Sequence, residues 1–119
     1  MQTTIVTLNV GGCCYQTSKE TMEMHDNYFR ALMKSYPNWS EEQIIFIDRD
    51  PSYFKYILNW LRGVKILPED CISLQELMYE ADFYCMEDMK VEIKKHMNTS
   101  TTLLTELKQF SSELKYSYR

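Results

Sequence analysis

Glycine is scarce: the 119 residues hold only Gly11, Gly12 and Gly63. Glycine-rich phosphate loops and dinucleotide fingerprints need several glycines at fixed spacing, so both are excluded. The two histidines, His25 and His96, have no cysteine or carboxylate partner at a telling spacing. Cys13, Cys14, Cys71 and Cys85 include no C-x-x-C pair, so the spacing that marks zinc sites is missing. Adjacent strand residues point to opposite faces, so Cys13 and Cys14 are poorly placed to share a metal. Four buried or half-buried thiols in a reducing compartment are expected, each packing as a small hydrophobe. The alternative is a thiol-based redox switch, but no base, orienting group or oxyanion site accompanies the cysteines. No catalytic residue, cofactor or metal is therefore expected. Basic runs are also missing. Lys plus Arg is 13 against 17 for Asp plus Glu, a net −4, which suits a phosphate backbone poorly and excludes nucleic acid as a partner. The longest apolar run, Ile44 to Ile47, falls far short of the roughly 20 residues that cross a bilayer. The N-terminus lacks a charged segment leading into an apolar one, so no signal peptide is expected and the location is read as cytoplasmic.

What is present is an ordinary globular composition, 45% hydrophobic and 25% charged, of a length that fits one domain of about 100–150 residues. Val6, Leu8 and Val10 alternate with Thr7 and Asn9, which predicts a half-buried strand over 4–10. Gly11-Gly12 suits a tight hairpin, with a returning strand over 13–16. Thr17 and Glu20 have capping-box spacing for a short helix. Asp26 can cap a second helix through about Lys34, followed by a loop over 35–40. Gln43 to Ile47 reads as a short strand whose unbroken apolar run predicts burial on both faces. Asp50 as N-cap and Pro51 at the first position predict a helix over 51–62, ended by Gly63. Ser73 and Glu76 form another capping box, and a further helix starts near Glu87 with Met89, Ile93 and Met97 aligned. Thr99 to Thr102 marks the expected end of the folded unit, dividing the chain into a domain at 4–98 and a tail at 99–119.

Two features point to self-association. On the helix over 51–62, Phe54, Ile57, Leu58 and Leu61 gather opposite Ser52, Lys55, Asn59 and Arg62, while Tyr53, Tyr56 and Trp60 fill a third arc. The non-polar surface spans about 200°, whereas packing on one core needs a stripe of roughly 100°. Either neighbours in the same chain cover this helix, or its aromatic arc lies near a subunit contact, where Tyr and Trp are favoured. In the tail, Leu103, Leu107, Phe110 and Leu114 follow a 4-3-4 spacing, the seam of a short coiled coil. That seam either pairs between copies or folds back on its own domain.

Val6-Thr7-Leu8-Asn9-Val10-Gly11-Gly12, Tyr15-Gln16-Thr17-Ser18 and Phe46-Ile47-Asp48-Arg49-Asp50-Pro51 together form a pattern. So do Phe54 to Arg62, Leu67-Pro68 and Glu80-Ala81-Asp82-Phe83-Tyr84. They resemble the BTB/POZ-type tetramerisation domain of voltage-gated potassium channels, and more closely its soluble relatives, the KCTD proteins, over about residues 4–97. The resemblance implies an α/β (α+β) fold, a small three-stranded sheet flanked by helices, with a C-terminal helix. It implies closed rings of four or five protomers, the homopentamer slightly favoured over the homotetramer. It also implies an adaptor role toward a cullin-RING ubiquitin ligase, with the cytoplasmic assembly domain of a potassium channel as the alternative. Zinc-binding relatives carry a histidine and cysteines near the domain's end; nothing similar lies at 80–98, so no intersubunit zinc is expected.

Asp48, Arg49 and Asp50 follow a buried strand directly, which asks for a reason. They are expected at the subunit contact with Tyr53 and Tyr56, Arg49 pairing a carboxylate across it. The local alternative is that Asp50 caps the helix and Arg49 is solvated. Tyr36 and Trp39 flank Pro37-Asn38 in a loop without helical or strand period. They are expected to form a hook for a partner such as a cullin scaffold; alternatively, Trp39 folds inward and pins the loop.

Overall fold

The computed structural model describes residues 4–99 of the chain. In order, the elements are β1 (Ile5–Val10), β2 (Cys13–Ser18), α1 (Lys19–Glu23), α2 (Tyr28–Lys34), β3 (Ile44–Ile47), α3 (Phe54–Leu61) and α4 (Cys71–Phe83). A last helix, α5, occupies 87–99. The mixed α and β architecture expected from the sequence is thus present, with a three-stranded sheet ordered β2-β1-β3. The β1–β2 hairpin is antiparallel, and β3 joins β1 in parallel. Gly11 and Gly12 both have positive φ, 54° and 102°, as the tight hairpin requires.

Alternation divides the sheet into two faces. Val6, Leu8 and Val10 of β1, with Ile45 and Ile47 of β3, are buried. The helices cover this face. Phe54, Ile57, Leu58 and Leu61 of α3 enter the same core, as do Leu74, Leu77 and Ala81 of α4 and Met89 and Ile93 of α5. An aromatic cluster fills its centre: Phe29 stacks on Tyr84 at 4.9 Å, and Phe54 lies 5.6 Å from Tyr84 and 4.9 Å from Tyr15. Such pairs add roughly 0.5–1.5 kcal/mol beyond the area they bury.

The expectation that β3 is buried on both faces is corrected. Ile44 and Phe46 are 56% and 58% exposed. Among the described residues the helices pack on one face of the sheet, and Ile44 and Phe46 point to the other, which the unbroken apolar run of β3 does not report. The helix starts also shift. Ser18, Asn27 and Asp70 are the N-caps, accepting from the backbone N–H of Thr21, Phe29 and Ser73. Thr17, Asp26 and Ser73 are not. α3 starts at Phe54 rather than Pro51, because the Asp50 carboxylate accepts from the N–H and Oγ of Ser52 at 2.8 and 2.6 Å, forming a turn ahead of the helix. Its C-terminus ends as expected at Gly63, φ 90°, where Gly63 N–H reaches Trp60 O and Val64 N–H reaches Asn59 O.

Candidate interaction surface

The turn after β3 is built by backbone packing. Gly11 N–H donates to Ile47 O at 3.0 Å, and a Cβ on Gly11 would lie 2.3 Å from Arg49 O. The hairpin turn thus presses on Asp48–Asp50 and fixes how Arg49 leaves the sheet. Arg49 then reaches α4. Its Nε donates to Glu80 Oε1 at 3.0 Å and its Nη2 to Oε2 at 2.5 Å, a two-point fork. The guanidinium also lies 4.4 Å above the Phe83 ring. The hydrogen bonds Arg49 donates to the Glu80 carboxylate, partly opposed by burial, hold the Arg49 pKa above its ordinary value.

Within the protomer the pairing is local. The carboxylate that Arg49 pairs with belongs to its own chain. Glu80 is only 8% exposed, so the pair supports the protomer. Below it, the Tyr84 hydroxyl is buried with no hydrogen-bond partner among the described residues. Burial first, then the Glu80 charge, raises its pKa, so Tyr84 stays neutral. Asp48 remains exposed beside the pair.

The other expected site residues fall as follows. Tyr53 and Tyr56 are half-buried on α3, and Tyr53 Oη donates to Ser73 Oγ at 3.3 Å, tying α3 to α4. Trp60 leaves the aromatic arc: it is buried, with Nε1 donating to Asp88 Oδ2 at 2.9 Å. Tyr36 and Trp39 are half-buried and packed against the core, and Trp39 Nε1 donates to Gln43 O at 3.3 Å. The loop is thus pinned by the rings expected to form its hook, although each keeps an accessible part. Leu103, Leu107, Phe110 and Leu114 lie outside the described residues. All four cysteines are exposed, which corrects the expectation of buried thiols.

Glu80 was missed by sequence reasoning, yet a signal existed. It precedes Ala81 and follows Leu77 by one turn, so it falls on the inner side of α4, where a carboxylate needs a cation. The outer side of α4 was missed too. Ile72 and Tyr79 are 75% and 59% exposed, and Phe83 is accessible beside them. Among the described residues, no helix is long and apolar enough to cross a membrane.

Residues 6–94 match the family model described as the BTB/POZ domain. The chain belongs to the BTB/POZ family, of the type found in the KCTD proteins. It is 42% identical over 83 residues to human BTB/POZ domain-containing protein KCTD3, covering 67% of this chain and 10% of that protein. It is 35% identical over 125 residues to mouse BTB/POZ domain-containing protein KCTD21, covering 96% of this chain and 48% of that protein. It is 36% identical over 87 residues to the Xenopus laevis BTB/POZ domain-containing adapter for CUL3-mediated RhoA degradation protein 2, covering 71% of this chain and 27% of that protein. The chain spans at most about half the length of these relatives. Membership of this family makes the domain a protein-interaction module.

Proposed function

We propose that the chain self-associates into a closed homo-oligomer, five copies slightly favoured over four, and acts as an adaptor presenting a client to a cullin-RING ubiquitin ligase. The observation that carries this is family membership over residues 6–94, with a relative whose name states an adapter role in CUL3-mediated degradation. The exposed apolar side chains on β3 and α4 agree with it. Phe46 is 58% exposed and Ile72 75%. The chain's part is binding and positioning. It holds a scaffold on one surface and a client on another, and ring assembly multiplies the copies of each.

Two measurements test the reading. Light scattering of the chain at micromolar concentration is expected to give a mass of several protomers. Purified CUL3 N-terminal domain is expected to co-elute with the chain. A protomer mass overturns the oligomer, and failure of CUL3 to co-elute with an assembled chain overturns the adaptor role alone.

A further inference from the structure

Between α3 and α4 lies a short stretch with the makings of a strand and no strand beside it. Val64-Lys65-Ile66-Leu67 forms neither helix, turn nor bend. The β-branched Val64 and Ile66 favour extended backbone, and Pro68 pushes Leu67 toward it. Leu67 packs against the core, whereas Val64 and Ile66 are 45% and 62% exposed. Val64 N–H is spent on Asn59 O, closing α3. Beyond it, neither the N–H nor the C=O of Lys65, Ile66 or Leu67 bonds to another backbone group among the described residues. Unpaired backbone beside exposed apolar side chains is what an added strand completes.

A cleft of about 260 Å³ runs beside this stretch, lined by Trp60, Lys65, Leu67, Asp88, Glu92 and His96. Its far wall is α5. The next hollow along α5 is bounded by Glu92, Lys95, His96 and Thr99, so the chain leaves the described domain at the end of the cleft. The rim is acidic. Asp88 and Glu92 stand on one side, and Glu69 and Asp70 follow the stretch, both exposed. Lys65 lies 3.7 Å from Asp88 and Lys95 3.2 Å from Glu92, while Arg62 turns away to Gln16 O on β2. Four carboxylates thus face two lysines.

The sequence after Thr99 holds a segment of matching kind. Lys115-Tyr116-Ser117-Tyr118-Arg119 alternates two aromatics with basic and small polar residues and contains no carboxylate. That is the period of a strand. We infer that residues 115–119 add as a strand to the 65–67 edge of their own chain. Tyr116 and Tyr118 then turn into the cleft against Leu67, and Lys115 and Arg119 lie along its acidic rim. Reach allows it. The way back along α5 is about 20 Å, and residues 100–114 span roughly 22 Å as a helix or about 50 Å extended. This occupant matches the edge in backbone, the cleft in aromatic side chains and the rim in charge. It leaves the seam of Leu103, Leu107, Phe110 and Leu114 untouched and does not depend on the number of copies assembled. Its effect is to cover an edge that would otherwise pair with other chains.

Hydrogen exchange read by mass spectrometry tests this on three proteins: the full chain, a chain ending at Leu114, and the double variant Tyr116→Pro with Ser117→Pro. Neighbouring strand N–H groups point to opposite edges, so two adjacent prolines remove a donor whichever edge faces the domain. Both alterations lie outside the described domain, so the β1 amides should exchange alike in all three. Amides within 65–67 are expected to exchange about tenfold more slowly in the full chain than in either altered chain. Equal exchange there in all three overturns the strand. Mixing the full chain with an isotopically heavy copy of the shortened chain separates own-chain from exchanged pairing. The shortened chain is expected to keep its fast exchange at 65–67. If mixing slows it, the segment comes from another copy, and the assignment to the same chain is overturned.

Discussion

Arg49 ties the end of β3 to α4 through Glu80 and Phe83. Its fork neutralises Glu80, whose side chain is 11% exposed. Removing one partner of such a pair leaves the other as an uncompensated buried charge, which costs roughly 3–5 kcal/mol where both are deeply buried. Arg49 is partly accessible, so Arg49→Ala should cost about 2–3 kcal/mol of protomer stability in urea unfolding. Adding Glu80→Leu to that variant should recover most of the loss, because the orphaned charge is gone. Equal losses in the single and double variants would mean the pair contributes through Arg49 packing alone. A second residue-scale contrast lies in the hairpin. Gly11→Ala meets Arg49 O and a positive φ, whereas Gly12→Ala meets open space and strain only. Gly12→Ala should cost about 1 kcal/mol and Gly11→Ala distinctly more, read as urea midpoints. Gly11-Gly12 was legible from sequence because only glycine suits both positions. The Arg49–Glu80 pair was not, because it joins residues whose proximity depends on how α4 docks beside the end of β3.

At the scale of elements, the strands, the hairpin and all but the exact starts of the helices could be read from periodicity. The starts slipped by one to three residues for a shared reason. Thr17-Ser18, Asp26-Asn27 and Asp70 with Ser73 each offer more than one cap-competent side chain, and only tertiary packing selects among them. The two-sided burial of β3 failed because helix packing decides which face of the sheet is covered, and that packing is not written in a single strand. The loop from 35 to 43 is a third case. Aromatics without period suggested a hook, yet Tyr36 and Trp39 lean on the core while holding the chain between α2 and β3. A half-buried Trp with one bond to Gln43 O should contribute less than a fully buried ring. Trp39→Ala is expected to cost about 1–2 kcal/mol, short of the roughly 3–5 kcal/mol of a core Trp. A melting temperature unchanged within error would restore the free-hook reading.

At the scale of the whole molecule, the proposed self-association has two candidate sources: the exposed apolar side chains of β3 and α4, and the 4-3-4 sequence pattern of Leu103, Leu107, Phe110 and Leu114. Two heptads are marginal alone, since short helices are unstable in water without packing, so the seam can add to an assembly more readily than found one. The exposed apolar side chains of β3 and α4 lie within 44–83, and the buried core of the described residues runs from Val6 to Ile93. Removing residues 99–119 should therefore leave the protomer folded and the assembled mass per protomer count unchanged. The loss should appear on dilution, as dissociation at a higher concentration than the full chain shows. Light scattering across a dilution series of both chains separates the cases. A truncated chain that is folded yet monomeric at every concentration would transfer the assembly role from the sheet and α4 to the tail seam. Identical dilution curves would leave the seam to another contact, such as the domain's own surface or a client.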